Sequence, residues 1–542
     1  MPPTRTRQRA RKACMPCRSR KRKCDANYPC DMCVTYGYDC RFPTDDGPAA
    51  AFTPRPTTVA KTASSIQPLR IDESASIDRG VLDPSRSRFV GTSSAVAFPQ
   101  SLGQSLGSQQ PLALHSFGWN LGSRAEEKSP DLPSLTTLVS RPDLDLYSGT
   151  FFTLLAPIFD VVDQESFSAR SLALYDRRHR DSAIASIIAG VVALGSLFHL
   201  KPHSRELEIV QFAKNMLEDA KCTRRPSADH VVGWILRTIY LRATTRPNNA
   251  WLASSTTMHL VEATGLHIDP ATVHRTSEHL LAPIGGSDRL RRIFWCAWTL
   301  NNTISYEYSR TAVLIPNVTC NPVEPVVGNF LPDWIRLVQT IPGHSSPESL
   351  MGSLHQLAGI ASGHPMLRLT KADVSFCFFR RLRQLGVNIP TNAVDVLLGI
   401  GDEAIDAADE LIGQRQSWWN ILGAIFQYTC VLLALDTQSS LARLHRAIST
   451  LETIAGTFNT HLAKEALATA RVLVKAAMAK KREELAFLEE AVGNHNEIPG
   501  NAQSNPRNDT ATPQELTDLG LNWDLFLNDP FPFTFSDMDL GA

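Results

Sequence analysis

Six cysteines near the N-terminus have the residue type and spacing of a metal site. They are Cys14, Cys17, Cys24, Cys30, Cys33 and Cys40, and a two-residue gap followed by a six-residue gap occurs twice. A closed zinc site needs four ligands in a tetrahedron, with sulfur at about 2.3 Å from the metal. Two separate sites would need eight sulfurs, so six can serve two metals only if two thiolates bridge both. The count therefore predicts a cluster of two Zn²⁺ ions and six thiolates.

Two other uses of these cysteines remain open at this stage. Three disulfides would suit a small secreted chain, but the first residues are basic and contain no apolar stretch of a signal peptide, so we expect an intracellular protein. A single four-cysteine site would leave two thiols idle, although the second half repeats the spacing of the first. The remaining cysteines are isolated and are expected to be reduced core residues; they are Cys222, Cys296, Cys320, Cys377 and Cys430.

The residues around the cysteines are strongly basic. Residues 1–41 carry eleven Lys and Arg against three Asp, a formal charge of +8. Two Zn²⁺ ions and six thiolates would reduce this charge to about +6. A small segment with that charge is suited to a polyanion, and phosphate contacts would make its affinity depend on salt. A solvated face or a nuclear import signal alone is the alternative interpretation.

The pattern resembles the DNA-binding domain of the fungal zinc binuclear cluster transcription factors. All six ligand positions agree, and so does the sequence Arg-x-Arg-Lys-x-Lys-Cys-Asp that ends at Asp25. The resemblance implies that Cys14 and Cys30 bridge the two metals and that two short helices begin at the Cys-x-x-Cys pairs. Pro16 suits the first turn of such a helix, where its missing N–H is not needed.

The same resemblance assigns the contacts with double-stranded DNA. It places Arg20 and Lys21 at the base edges of the major groove, and Arg18 and Lys23 at phosphates. Arg or Lys donating to O6 and N7 of guanine is the commonest specific contact in that groove. The sequence itself supports a preference for guanine, and the resemblance implies a CGG-type triplet.

The sequence as a whole predicts a mainly α protein with four parts. Residues 1–42 form the metal-binding module with its basic arm, which we call the N-terminal module. Residues 43–133 are rich in Ser, Thr, Pro, Ala and Gly, which predicts a disordered linker. Residues 134–492 predict a large all-α domain, and residues 493–542 an acidic, disordered tail. No apolar heptad follows Cys40, so we expect either a monomer or a homodimer that does not use an adjacent coiled coil.

Residues 134–492 also resemble the fungal-specific regulatory domain, or middle homology region, that accompanies the zinc cluster. The matching stretches are Tyr147–Phe152, Ala193–Gly195, Thr264–His267 and Arg291–Trp295. Helical periodicity is clearest at Ser182–Leu200, Leu207–Cys222, Asp229–Ala243, Trp251–Thr264, Asp288–Tyr306, Val394–Ile412 and Ala463–Glu490. The first of these helices is apolar, but small residues interrupt it, which favours a tightly packed core helix over a membrane span.

The sequence contains no recognisable catalytic motif. It lacks a glycine-rich phosphate loop, a Gly-x-Ser-x-Gly elbow and a His-Glu-x-x-His helix. Its histidines are scattered, and we expect no metal site among His199, His203, His267 and His274. The chain is therefore predicted not to be an enzyme.

The tail after Arg507 contains acidic and aromatic residues and no further Lys or Arg. Its aromatic residues are Trp523, Phe526, Phe531, Phe533 and Phe535. Carboxylates keep such a segment extended and leave the rings available to a partner, which is typical of an acidic activation domain that binds coactivators. The alternative is a tail that packs back onto the α domain or recruits a corepressor. The whole pattern predicts a nuclear regulator of RNA polymerase II transcription, more specifically an activator.

Replacing two of the lysines separates base reading from phosphate binding. If Lys21 reads guanine, Lys21→Ala will cost about 1–3 kcal/mol and relax the preference at one base position. If Lys23 contacts phosphate, Lys23→Ala will weaken binding to all DNA sequences alike. It will also reduce the slope of log affinity against log salt concentration by about one unit. Binding titrations on specific and scrambled duplexes at several salt concentrations measure both effects. Equal, sequence-independent losses would show that the base-reading assignment is wrong.

Overall fold

The computed structural model describes the N-terminal module in part and most of the helical region. The described residues are 13–19, 24, 25, 27, 30–36, 40, 41, 81–83, 88–90, 94, 102, 106, 134–176, 182–219, 222, 223, 225–245, 247–269, 286–343 and 346–493. The chain divides into two compact units, residues 1–75 and 76–542.

Two short helices form the described core of the first unit. α1 is Met15–Ser19 and α2 is Asp31–Tyr36, so each helix begins directly after the first cysteine of a Cys-x-x-Cys pair. Pro16 is the second residue of α1, where a backbone N–H has no partner within the helix. The backbone N–H of Met15 donates to the carbonyl oxygen of Arg41 at 2.6 Å, which joins the two ends of the module.

The second unit is helical, which confirms the mainly α fold. Its helices are α3 Leu135–Leu138, α4 Arg141–Leu154, α5 Ala156–Phe159, α6 Gln164–Tyr175, α7 Ser182–Phe198, α8 Glu206–Leu217, α9 Ala228–Thr244, α10 Pro247–Ala263, α11 Gly286–Glu307, α12 Leu331–Gln339, α13 Pro347–Ala358, α14 Pro365–Gln384, α15 Thr391–Gly413, α16 Asn420–Leu435, α17 Gln438–Leu441, α18 Leu444–Phe458 and α19 His461–Gly493. All seven helices predicted from periodicity are present, with ends that differ by a few residues.

Helix α7 is the centre of the first half of this unit. It packs against α4, α8 and α9, and nearly all of its side chains are buried. A Cβ atom on Gly195 would lie only 1.9 Å from the backbone carbonyl oxygen of Tyr147 in α4. The small residues in this apolar helix therefore serve close helix packing, as the sequence predicts. Within the described part of the chain, no helix is both long enough and apolar enough to cross a membrane.

Helix α14 is the centre of the second half of this unit. It packs against α15 and α16 and also contacts α11, which connects it to the first half. The Phe376 ring of α14 stacks on the Tyr428 ring of α16, with centroids 5.6 Å apart and planes 7° apart. Gly401 of α15 leaves room for that stack, because a Cβ atom there would lie 2.0 Å from the Tyr428 ring.

A buried charge lies where the two halves meet. The Arg242 guanidinium pairs with the Glu307 carboxylate and lies over the Trp419 ring, 5.6 Å from its centroid. Burial lowers the pKa of Arg242, but Glu307 more than offsets this and the net pKa is raised. The nearby Asp373 carboxyl of α14 has a pKa well above its usual range, first because it is buried and second because Glu307 is close.

A short pair of strands was not predicted from the sequence. β1, Val81–Asp83, pairs antiparallel with β2, Arg88–Val90. The Phe89 ring of β2 contacts the His267 ring edge to face, with centroids 4.8 Å apart. Gly265 has a φ of +72°, and a Cβ atom there would approach Phe89 to 3.3 Å. These strands lie inside residues 43–133, where the sequence predicts only a disordered linker. Composition could not reveal them, because six strand residues hardly change the composition of so long a segment.

Adding one methyl group to Gly195 tests the close contact of α4 and α7. We expect Gly195→Ala to lower the free energy of unfolding by about 1–3 kcal/mol, because the Tyr147 carbonyl belongs to a helix backbone and cannot move aside. Gly149→Ala in α4 is the matched control: its Cβ atom would meet nothing within 4 Å, so helix propensity should raise stability by about 0.5–1 kcal/mol. Denaturant unfolding of the full chain measures both. Equal effects of the two changes would contradict the contact.

Candidate metal centre

The six N-terminal cysteines lie together in the structure. Their side chains are at most 4% exposed, and they form a buried cluster of their own. The Cys14 sulfur lies 3.7 Å from that of Cys30 and 3.5 Å from that of Cys33, and the sulfurs of Cys17 and Cys30 are 3.7 Å apart. The edge of a tetrahedron with sulfur about 2.3 Å from zinc is about 3.8 Å. The sulfurs are therefore positioned for metal binding.

The sulfurs form two groups of four. One group contains Cys14, Cys30, Cys33 and Cys40, and the other contains Cys14, Cys17, Cys24 and Cys30. Within each group all ligand atoms lie within 4.8 Å of one another. Cys14 and Cys30 belong to both groups, which is the arrangement that two tetrahedra sharing an edge require.

The disulfide interpretation does not agree with this geometry. Bonded sulfurs lie about 2.05 Å apart, whereas the sulfurs here are separated by 3.5 Å or more and all six cysteines are free. The other five cysteines, predicted to be reduced core residues, are not in disulfides either. Four of them are buried, and Cys430 is half-buried.

The pKa values of the thiols distinguish the two shared cysteines, Cys14 and Cys30, from the unshared Cys17 and Cys33. Burial raises the pKa of Cys14, but hydrogen bonds from the Cys17 backbone and from neighbouring thiols outweigh it, so its net pKa is lowered. The pKa of Cys30 is also lowered, because hydrogen bonds, first from the Cys33 backbone, outweigh its burial. Burial and the neighbouring thiols raise the pKa of Cys17 to about 12 and that of Cys33 further. The thiols of the two cysteines common to both groups are therefore more acidic than those of Cys17 and Cys33.

Backbone contacts hold the cysteine loops in place around the sulfurs. The N–H of Cys30 donates to the Cys40 sulfur at 3.3 Å, and such a hydrogen bond orients a thiolate that binds metal. The Asp25 carboxylate accepts a hydrogen bond from the Asn27 side chain at 3.0 Å and from the Asp31 backbone at 3.4 Å. Asp25 therefore links the loop after the first cysteine triplet to the start of α2.

One of the four residues predicted to contact DNA lies within the described part of the chain. Arg18 lies in the last turn of α1, and its side chain is exposed. Arg20, Lys21 and Lys23 lie outside the described residues, as do the aromatic residues predicted for activation: Trp523, Phe526, Phe531, Phe533 and Phe535. The described geometry therefore supports the metal site, and the assignments at these other positions stay predictions.

The two arginines of the Arg291–Trp295 stretch make partly buried ion pairs that the sequence did not predict. The Arg291 guanidinium makes a bidentate ion pair with the Asp269 carboxylate, with N–O distances of 2.9 and 3.2 Å. Asp269 is only 1% exposed. Arg292 pairs with Asp160 at 3.1 Å. These arginines hold loops after α10 and α5 onto α11, which is a structural role. No sequence pattern pairs these arginines with their partners, which lie 22 and 132 positions away along the chain.

No second metal site is found among the described residues of the helical unit. Across all the described residues, the only sets of three or more potential ligand residues whose atoms lie close enough to share an ion are the two cysteine groups of the N-terminal module. His203 does have a carboxylate neighbour, because its Nε2 lies 3.6 Å from Asp143 Oδ2. His274 lies outside the described residues.

Two family profiles match the chain. The "Fungal Zn(2)-Cys(6) binuclear cluster domain" matches residues 12–48, and the "Fungal specific transcription factor domain" matches residues 149–332. The first match contains both cysteine groups, and the second contains most of the first half of the helical unit.

Whole-chain relatives agree with these profiles. The chain is 40% identical to Protein RDR1 of Saccharomyces cerevisiae over 90% of this chain and 92% of that protein. It is 32% identical to Transcription factor kojR of Aspergillus oryzae, over 99% of this chain and 97% of that protein. A more distant relative, 24% identical over 76% of this chain and 93% of its own length, is a probable transcriptional repressor of Schizosaccharomyces pombe.

Proposed function

The chain belongs to the fungal zinc binuclear cluster transcription factors, and from this premise we propose that it is a nuclear activator of RNA polymerase II transcription that reads guanine-containing, CGG-like triplets in the major groove. It is a transcription factor and not an enzyme. The observation that carries the proposal is the membership of Cys14 and Cys30 in both four-sulfur groups.

The shared sulfurs support a cluster of two zinc ions per chain. Cys14 and Cys30 are the bridging ligands in this proposal, and Cys17, Cys24, Cys33 and Cys40 each bind one metal. Zinc provides the folding energy that a hydrophobic core of about 30 residues could not provide. Because thiols must lose their protons to bind zinc, affinity for the metal should fall as the pH falls.

The basic residues between the second and third cysteines are proposed to contact DNA. Arg20 and Lys21 donate to guanine in the major groove, and Arg18 and Lys23 bind phosphates. Arg18 already lies exposed in the last turn of α1. Counterion release from the phosphates provides affinity, while the base contacts provide specificity.

Removing a shared cysteine should have a larger effect than removing an unshared one. We expect the wild-type chain to carry two zinc ions, Cys14→Ala to lose both, and Cys40→Ala to lose the one whose group contains it. Native mass spectrometry of the full chain counts the bound metal. Cys320→Ala, in the helical unit, is the matched control and should keep both ions. A single zinc ion in the wild type, or equal losses for Cys14→Ala and Cys40→Ala, would contradict the shared-sulfur arrangement.

The activator role is proposed from the composition of the tail. Six acidic residues from Glu515 to Asp539 accompany the five aromatic rings, with no Lys or Arg among them. Their repulsion opposes collapse and leaves the rings available for an apolar groove on a coactivator. A repressor is the second candidate, and it is favoured by the Schizosaccharomyces pombe relative, which is named as a probable transcriptional repressor. In that case the tail recruits a corepressor or covers part of the helical domain.

A reporter assay separates these two roles. Residues 513–542 fused to a foreign DNA-binding domain should activate a reporter, and Trp523→Ala with Phe526→Ala should remove most of that output. The same double change in the full chain should leave DNA affinity unaltered. A silent fusion, together with higher activity of the full chain after deletion of the tail, would support the repressor and contradict the activator.

A further inference from the structure

Among the described residues, the last part of helix α19 is exposed along its whole length. The first part of the helix packs against α16 and α18, and Lys481 reaches Asp436 at the end of α16 with a 2.6 Å ion pair. Every residue from Met478 to Val492 is exposed. This stretch, which we call the coil segment (residues 478–492), is about 22 Å long at 1.5 Å per residue.

The exposed residues of the coil segment include an apolar stripe at heptad spacing. Met478, Leu485, Leu488 and Val492 are separated by seven, three and four residues, which places them at a and d positions. Leu485 is 53% exposed, Leu488 66% and Val492 79%. Large apolar side chains exposed along one side of a helix are typical of a surface that another chain covers.

The charges of the coil segment are separated along its length. Lys480, Lys481 and Arg482 form a basic group. Two acidic pairs follow it, Glu483 with Glu484 and Glu489 with Glu490. A helix with one basic end and one acidic end complements a second copy of itself only when the two copies run in opposite directions.

The charged residues at the e and g positions, which flank the apolar stripe, favour the same antiparallel orientation. In a parallel pair, g faces e of the other helix, so Glu484 would lie against Glu489 and repel it twice. In an antiparallel pair, e positions face one another, which places Arg482 of each copy against Glu489 of the other. We propose that the coil segment forms an antiparallel two-helix coiled coil with the coil segment of a second copy of this chain.

The register follows from the apolar stripe. Leu485 of each copy packs against Leu488 of the other, and the aliphatic stem of Lys481 packs against Val492. The chain's own tail is a poorer occupant of this surface, because its carboxylates would meet Glu483, Glu484, Glu489 and Glu490. The proposal goes beyond the proposed function, since it assigns a dimer surface remote in sequence from the cysteine module.

The interface is small, so the dimer depends on protein concentration. It nevertheless links two N-terminal modules, and this link raises the effective concentration of the second module once the first has bound DNA. DNA with two target triplets should therefore bind more tightly than DNA with one, provided that the dimer forms.

Sedimentation equilibrium of the full chain over a range of concentrations tests the proposal. The wild type should dimerise reversibly, and Leu485→Glu with Leu488→Glu should raise the dimer Kd at least about 100-fold, because four leucines lose their burial. Phe487→Glu is the matched control: Phe487 is 63% exposed and lies on the opposite side of the helix, so the dimer should persist. Melting temperature and helical content measured by circular dichroism at monomer concentrations should be the same for all three proteins.

Charge exchange tests the orientation. Arg482→Glu and Glu489→Arg should each weaken the dimer, and the double exchange should restore it. A parallel coil would instead be strengthened by Glu489→Arg, which removes the repulsion from Glu484, and that result would overturn the proposal. A wild-type chain that stays monomeric also overturns the proposal. This holds even if truncation after residue 493 produces a dimer, because that result would mean that the chain's own tail covers the stripe. Persistence of the dimer in the Leu485 and Leu488 double variant would equally exclude this surface.

Discussion

Two sulfur atoms that serve both four-sulfur groups are the constraint on which the N-terminal module depends. Its described residues form two helices, of five and six residues, and the buried cluster among them consists of the six cysteines. Isolated helices of that length are not stable in water. The fixed positions of α1 and α2, and with them the direction in which Arg18 points, therefore depend on the thiol cluster.

The helical unit is stabilised by a different combination of contacts. Helices α4 and α7 approach until only glycine fits at position 195. Loops are fastened to α11 by ion pairs with little exposure to water, such as Arg291 with Asp269. Burial of a single unpaired charge costs several kcal/mol, so such pairs specify which loop lies against which helix. This explains how a domain with few sequence motifs still has one defined arrangement.

The family motifs in the helical unit thus have mainly structural explanations. The Thr264–His267 stretch contains Gly265, which needs its positive φ for the turn after α10 and provides space for Phe89. Trp295 donates its ring N–H to the carbonyl oxygen of Asn321 at 2.8 Å. Asn301 is fully buried and donates to Ser254 at 3.0 Å while accepting from the Val313 backbone at 2.9 Å. Both functions of its amide are therefore satisfied within the helical unit.

The sequence by itself determined the features that arise from local patterns. Cysteine spacing indicated a metal cluster, and helical periodicity located helices such as α7 and α15 within a few residues, because these signals involve near neighbours in the chain. Only the tertiary structure decided which side chains meet over long distances, as Phe89 meets His267 and Arg242 meets Glu307. It also decided that the stripe from Met478 to Val492 is exposed. An apolar heptad looks the same whether its own domain or another chain covers it, and only the packing of the remaining helices distinguishes the two cases.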